Sequence, residues 1–247
     1  MQTETPLFSF AGPWGLSVQV MPSLGFLLLL FVGFSATSVE AATWGLNMFA
    51  IVVASILLHE LGHACGARVQ GVPVHRVVLY GGGGFCQHRA AGARASEFIV
   101  LMGPIVNLAL WAALSLFAFW LVPAWSGGEP TEAAIAAHFD TYAARFELIY
   151  WLETAADLNL MLFVLNMVPV QPLDGGKLAH LWLLRVVSEP RAMAVAGGVG
   201  LVCTVLWVPA MIAMYFYVGF ILLFIPSLRG HWAMLRAGAR LGRMWRR

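Results

Sequence analysis

The sequence predicts an all-α polytopic membrane protein with about six transmembrane helices and a small membrane-associated β-hairpin region. Sixty per cent of its 247 residues are apolar and 11% are charged, and the mean hydropathy is +0.81. This composition is that of a membrane protein and not of a soluble globular domain. The apolar residues form long runs, and no polar block has the size of a separate soluble domain. One helical bundle within a membrane is therefore expected.

Charge and cysteine content exclude two other classes of protein. The net charge of +2 is small and no basic stretch is interleaved with aromatic residues, which argues against a nucleic-acid partner. The three cysteines, Cys65, Cys86 and Cys203, show no paired spacing, so a disulfide framework is not expected. We interpret them as small buried hydrophobic residues, with Cys65 close enough to the motif described below to be a spare soft ligand.

The predicted elements form one transmembrane core, residues 1–228, followed by a tail, residues 229–247. The six spans are expected near residues 22–36, 44–67, 96–122, 148–168, 175–187 and 195–225. Residues 1–21 have no basic segment before the apolar stretch and no convincing cleavage site, so they are not interpreted as a cleaved signal. Residues 15–20 alternate apolar and polar side chains, which predicts a short strand before the first span.

The second predicted span contains the pattern His59-Glu60-Leu61-Gly62-His63. On a helix, His59 and His63 lie four positions apart on one face, where two imidazoles can bind the same metal ion. Glu60 lies about 100° round the helix, where it can accept a proton from a water molecule without being a ligand. Chance would produce about 0.007 such matches in a chain of this composition. The pattern therefore predicts one Zn²⁺ per chain and the hydrolysis of peptide bonds.

A polar, glycine-rich stretch follows the second span. Residues 74–80 are strand-like, residues 81–84 form a glycine turn, and residues 85–89 can return as a second strand. The metal site is expected roughly 7 to 14 Å below the membrane surface, because the histidines lie within three turns of the helix end. A hairpin beside it would offer a strand edge to an extended peptide, and a plain surface loop is the alternative.

Three of the polar side chains within the third and fourth predicted spans have more than one interpretation. Asn107 either joins helices or positions a substrate. Glu153 and Asp157 lie one helical turn apart and either line a cavity or lie near the membrane surface.

The backbone after the fourth span is broken. Pro169 and Pro172 end the helix, and Asp174 is followed by two glycines. Irregular backbone at membrane depth is tolerated only where protein or a water-filled cavity surrounds it. Asp174 is therefore a candidate third metal ligand.

The basic residues predict the orientation. Eleven of them, including six arginines of the tail, fall on one predicted side and three on the other, which places the first group in the cytoplasm. Six spans then leave both termini in the cytoplasm of an inner-membrane protein. The loop of residues 123–147 is expected outside, with a helix at the membrane surface from about residue 131. The tail is interpreted as a basic amphipathic segment on the cytoplasmic surface.

Together these motifs resemble those of the site-2 protease family of intramembrane zinc metalloproteases. Residues 59–63 are similar to the family's first motif, residues 159–176 to its second, and residues 103–107 to its third-span element. The resemblance covers roughly residues 15–177. The chain has no room for a PDZ-like insert between the third and fourth spans and no CBS-like domain after the sixth, so it is similar to the minimal core of the family.

The resemblance implies a role for each site residue. The zinc ligands would be His59, His63 and Asp174, and the catalytic base would be Glu60. The residues that would hold the substrate or shape the site are Asn107 and Asn166.

The implied activity is hydrolysis of peptide bonds within or near transmembrane helices of membrane-anchored proteins. The partners would be a transmembrane protein substrate and the lipid bilayer. Two alternatives stay open, of which the first is a catalytically silent metal-binding or transport-type membrane protein, with a protein group in the fourth coordination position. The second is a membrane-fixed protease of soluble substrates, which would cleave without a membrane-embedded substrate.

Overall fold

The computed structural model describes residues 5–33, 37–122, 132, 139–218 and 224–244. In these ranges the strands are β1 (Phe8–Ala11), β2 (Ser17–Val20), β3 (Val74–Tyr80) and β4 (Gly83–His88). The α-helices are α1 (Gly25–Leu28), α2 (Val39–Val69), α3 (Ala93–Leu121), α4 (Phe139–Asn166), α5 (Asp174–Val186), α6 (Glu189–Val218) and α7 (Leu228–Met244). Outside the described residues lie 1–4, 34–36 of the predicted first span, 123–131 and 133–138 of the outer loop, 219–223 of the sixth span and 245–247 of the tail.

Four helices in the described part of the chain are long and apolar enough to cross a membrane. They are α2, α3, residues Ala143–Asn166 of α4 and residues Glu189–Ala213 of α6. The first predicted span corresponds to the shorter helical segment Pro22–Gly33, and the fifth to the 13 residues of α5. At 1.5 Å per residue α5 is about 20 Å long, shorter than a hydrocarbon core of about 30 Å. The protein is thus an integral membrane protein, whereas the count of six spans is not confirmed.

Two helices begin earlier than the hydropathy predicts. The side chain of Ser38 caps α2 by accepting a hydrogen bond from the backbone N–H of Ala41 at 3.1 Å, so the helix starts at Val39 and not near residue 44. Helix α4 begins at Phe139, nine residues before the predicted start of the fourth span. The predicted surface helix and the fourth span are therefore continuous from that residue onward.

The four strands form one sheet in the order β1-β2-β3-β4. Strands β1 and β2 are antiparallel, β2 and β3 are parallel, and β3 and β4 form an antiparallel hairpin. The predictions of a strand near residues 15–20 and of the hairpin are confirmed, and β1 was not predicted. Buried Val18 and Leu79 of the sheet pack in one cluster with Ala64 of α2. The sheet is thereby fastened to the helix that carries both histidines.

Helix α7 packs closely against α6. A side chain on Gly197 of α6 would overlap the backbone of Leu235 in α7, and one on Gly238 of α7 would overlap the backbone of α6 at Pro190. The opposite face of α7 is exposed and carries Arg236, whose guanidinium lies 4.9 Å from the ring centre of Trp232. Helix α7 is therefore amphipathic, with its buried face against α6.

Candidate metal centre

The structure brings the three predicted ligands together. Nε2 of His59 and Nε2 of His63 lie 3.1 Å apart on one face of α2. Oδ2 of Asp174, at the first residue of α5, lies 3.1 Å from His59 Nε2 and 3.0 Å from His63 Nε2. All three side chains are buried. Ligands bound tetrahedrally at about 2.0 to 2.1 Å lie about 3.3 Å apart, so this nearly equilateral triangle fits a metal ion.

Both imidazoles are oriented from behind through Nδ1. The Nδ1–H of His59 donates to the side-chain oxygen of Asn107 at 2.5 Å, and the Nδ1–H of His63 donates to the carbonyl of Ile99 at 2.8 Å. A neutral imidazole has a single N–H, so each Nε2 keeps its lone pair. This arrangement fixes both tautomers and is the usual support of a metal-binding histidine.

Asn107 belongs to a buried chain of polar groups that connects three helices. Its Nδ2 donates to Oδ1 of Asn159 at 2.7 Å, and Nδ2 of Asn159 donates to Ser55 Oγ at 3.0 Å. These donors turn the oxygen of Asn107 towards His59. The sequence allowed two interpretations of Asn107, as a residue that joins helices or as one that positions a substrate. In the structure it joins α3 to α4 and supports His59. Ser55 precedes His59 by four residues, and this shared helical face was the available signal for the network.

The turn before α5 explains the two glycines that follow Asp174. A side chain on Gly175 or Gly176 would overlap the backbone of residues 167–171. The glycines therefore allow the first turn of α5 to pack directly on the end of α4. Nζ of Lys177 donates to Asp174 Oδ1 at 2.8 Å, which leaves Oδ2 for the triangle.

Glu60 lies beside the triangle under the hairpin. It is buried, and its carboxylate and the ring nitrogens of His59 and His63 offer ligand atoms that all lie within 4.8 Å of one another. A Cβ on Gly84 of β4 would lie 2.7 Å from Glu60 Cγ, so glycine is required where the strand crosses this side chain. The sequence indicated a glycine turn here, and the close approach to Glu60 is a finding of the structure.

Helix α3 approaches the two predicted histidine ligands through Gly103. A Cβ at this position would lie 2.7 Å from Nε2 of His59 and would overlap the ring of His63. Gly103 opens the third-span element of residues 103–107, and the structure shows that this glycine contacts both imidazoles.

A cavity of about 720 Å³ opens over the site. Both histidines, Glu60, Asp174 and the glycine turn of the hairpin line it, together with apolar side chains of α4. Asn166 also lines the cavity, as its predicted role requires. The described residues that line the cavity do not include Glu153, Asp157 or Cys65. The carboxylates of Glu153 and Asp157 are exposed on the outer face of α4.

Cys86 of β4 faces the same cavity as a half-buried thiol. Burial raises the pKa of this thiol to about 12. The thiol is therefore protonated at neutral pH and is a poor metal ligand and a poor nucleophile.

Comparison with known proteins shows what the chain is similar to. The chain is 23% identical over 186 residues to the zinc metalloprotease MJ0392 of Methanocaldococcus jannaschii, covering 75% of this chain and 48% of that protein. It is 35% identical over 136 residues to Rip3 of Mycobacterium tuberculosis, covering 53% of this chain and 30% of that protein. The matched regions thus span about half or less of the length of these relatives.

A solved structure and a family model show the fold and the family of this chain. The site-2 protease from Methanocaldococcus jannaschii superposes with a TM-score of 0.58 at 19% sequence identity, over 94% of each chain, which shows a shared fold. The model of Peptidase family M50 matches residues 47–207, a range that contains the His59–His63 pattern and Asp174. The predicted relationship to site-2 proteases is confirmed, and the chain belongs to Peptidase family M50.

Proposed function

We propose that the protein is an intramembrane zinc metalloprotease that hydrolyses peptide bonds within or near transmembrane helices of membrane-anchored proteins. The observation that carries the proposal is the triangle of His59 Nε2, His63 Nε2 and Asp174 Oδ2, with edges of 3.0 to 3.1 Å. Each ligand is held from behind by a hydrogen bond, and a buried carboxylate lies alongside. The name of the relative MJ0392 supports zinc as the metal.

In this proposal His59, His63 and Asp174 hold one zinc ion. When bound, the zinc supplies a Lewis acid that polarises the scissile carbonyl and lowers the pKa of water. Glu60 accepts the proton of the attacking water and passes it to the leaving amine. The apolar walls of the cavity exclude bulk water, which strengthens each of these electrostatic contacts. Asn166, which lines the cavity, holds the substrate near the bond that is cut.

The hairpin is the proposed substrate-binding element. Strand β4 is an edge of the sheet formed by the described residues, and its glycine turn lines the cavity. An edge strand offers free N–H and C=O groups to an extended peptide. Because a helical substrate hides its carbonyls in hydrogen bonds, we infer that it unwinds locally before it binds along β4.

A cavity over the triangle supports hydrolysis against the catalytically silent alternative. A structural zinc site has four protein ligands, whereas a catalytic site has three and an open position. The described residues bring three ligand atoms into one triangle, and the cavity of about 720 Å³ lies beside them. A transport-type protein would not need a carboxylate such as Glu60 placed next to its metal ligands.

The decisive experiment compares Glu60→Gln with the wild-type protein. The amide keeps the shape of Glu60 but cannot accept a proton, so we expect full zinc content and cleavage below a few per cent of wild type. Glu153→Gln, which makes the same chemical change on the outer face of α4, is the matched control and should cleave normally. Retained cleavage in Glu60→Gln contradicts the proposed base. Cleavage of soluble peptides at the same rate as membrane-embedded substrates would instead favour a membrane-fixed protease of soluble proteins.

We also propose the orientation and the division of the chain. Residues 1–228 form the protease core and residues 229–247 a cytoplasmic tail, with both termini in the cytoplasm of the inner membrane. The eleven basic residues on one predicted side support this orientation. In a variant without native cysteines, an impermeant thiol reagent added outside should label Ser126→Cys and not Ser227→Cys. The reverse labelling contradicts the orientation.

A further inference from the structure

His231 of α7 is a buried histidine far along the chain from the metal ligands. Its side chain is 2% exposed. The Nδ1–H donates to the carbonyl of Ser227, one turn earlier in the chain, at 2.8 Å. Since a neutral imidazole carries one N–H, Nε2 is an acceptor, and it accepts the backbone N–H of Gln171 at 3.1 Å. One imidazole therefore connects the tail helix to a backbone group of another part of the protein.

Gln171 lies in the turn between α4 and α5, three residues before the proposed ligand Asp174. Gly176 packs against this turn from α5, where a Cβ would lie 2.6 Å from the backbone nitrogen of Gln171. Within the turn, Val170 accepts the backbone N–H of Leu173 at 3.0 Å. The N–H of Gln171 points out of the turn, and His231 is its acceptor.

Helix α6 fixes the position of the imidazole. Gly200 of α6 lies against His231, and any side chain there would overlap the ring. Gly197 makes the close approach of α7 possible one turn earlier in α6. The ring is thus held by the backbone of α6 on one side and by its bond to Ser227 on the other. An aliphatic side chain would fill the same space but would leave the N–H of Gln171 without an acceptor.

We propose that His231 is a positioning residue for the metal site. His231 of α7 accepts the hydrogen bond from Gln171 and thereby holds the turn before Asp174 in the position that places Oδ2 beside both histidines. The tail helix is then part of the active-site support in addition to being a surface segment. This inference rests on the proposed function, because it takes Asp174 as a ligand.

The test measures zinc affinity of the full-length protein in detergent by competition with a chelator. It also records the visible absorption spectrum of the Co²⁺-substituted protein. His231→Leu should weaken zinc binding about 10- to 100-fold, as loss of an indirect support typically does, and should alter the Co²⁺ spectrum. His231→Gln has an amide oxygen that can accept the Gln171 N–H, so it should bind zinc within about threefold of wild type. Gly200→Ala, which pushes the ring away without removing it, should reproduce the loss seen in His231→Leu.

Gly238→Ala is the matched control for loosened packing. It crowds the contact between α7 and α6 at Pro190, away from His231 and Gln171. It should lower thermal stability while zinc affinity and the Co²⁺ spectrum stay as in the wild type. Wild-type zinc affinity and spectrum in His231→Leu overturn the inference, and so does an equal loss of affinity in His231→Gln and His231→Leu. Zinc retained at wild-type affinity in Asp174→Ala contradicts the proposed function itself, whereas zinc lost there and kept in His231→Leu contradicts this inference alone.

Discussion

Nδ1 of His59 lies 2.5 Å from the side-chain oxygen of Asn107, which stands 48 positions later in the chain and on another helix. Asn107 is fully buried and is itself held by Asn159. The orientation of one proposed zinc ligand therefore depends on an amide network between α3 and α4.

Replacing Asn107 with alanine should weaken zinc binding. The N–H of His59 would lose its acceptor, and loss of such a support typically costs about 10- to 100-fold in metal affinity. Chelator competition on the purified protein measures the effect. Asn166→Ala is the control, because Asn166 lines the cavity and should affect cleavage while zinc binding stays normal. If Asn107→Ala binds zinc as tightly as Asn166→Ala and the wild type, Asn107 does not support the metal site.

Gly103→Ala should reduce zinc binding more than any other single substitution by alanine in α3. The added methyl group would occupy the space of both imidazoles, and the helix backbone cannot yield in a packed interface. Gly66→Ala is the comparison at the same helix contact, since its methyl group meets mainly the flexible side chain of Met102. Zinc content by elemental analysis should fall in the first variant and persist in the second. A zinc-loaded Gly103→Ala protein would show that the helices separate easily.

The thiol of Cys86 should react slowly with alkylating reagents in the native protein. Its pKa is raised to about 12, so the thiolate fraction at pH 8 is about 10⁻⁴, against about one quarter for an ordinary cysteine. The logarithm of the iodoacetamide rate should still rise linearly with pH at pH 10, as followed by mass spectrometry. In the denatured protein the rate should level off near the ordinary pKa of about 8.5. A plateau near that value in the native protein would contradict the burial of this thiol.

Cleavage should depend on the helix stability of the substrate more than on any one side chain. In a substrate span, Asn lowers the cost of unwinding by up to about 0.7 kcal/mol, Gly by about 1 kcal/mol and Pro by about 3 kcal/mol. Replacing such residues with Leu or Ala should slow cleavage strongly, both in detergent and in liposomes. Changing the residues that flank the cut at constant helix propensity should alter it less. A rate that follows one flanking side chain and ignores helix stability would indicate a specificity pocket instead.

Local sequence was sufficient for the parts of the site that lie within one helical turn. His59, Glu60 and His63 are placed by α2 alone, and the hairpin of β3 and β4 follows from its alternation and its glycines. Asp174 was inferred from the prolines and glycines around it. In each case the signal and the structure span only a few residues, so periodicity and turn chemistry decide the outcome.

The missing parts depend on contacts between distant segments. The pairing of Asn107 with His59 and that of His231 with Gln171 join residues 48 and 60 positions apart, which periodicity does not reveal. Strand β1 was missed because its four residues are all exposed and gain their order from β2. The predicted fifth span is the amphipathic helix α5. Its first residue, Asp174, lies in the site, so this helix does not face lipid along its whole length.

The wide spacing of the proposed ligands also has a consequence for biosynthesis. Asp174 is made 115 residues after His59, which at about 5 to 20 residues per second is roughly 6 to 23 s of translation. During that interval the nascent chain carries two histidines without the carboxylate that completes their triangle. His231 follows later still, so the turn that carries Asp174 is made before the residue that we propose to hold it. A complete metal site is therefore expected only after Asp174 has been made, so the proposed activity cannot appear before that point of synthesis.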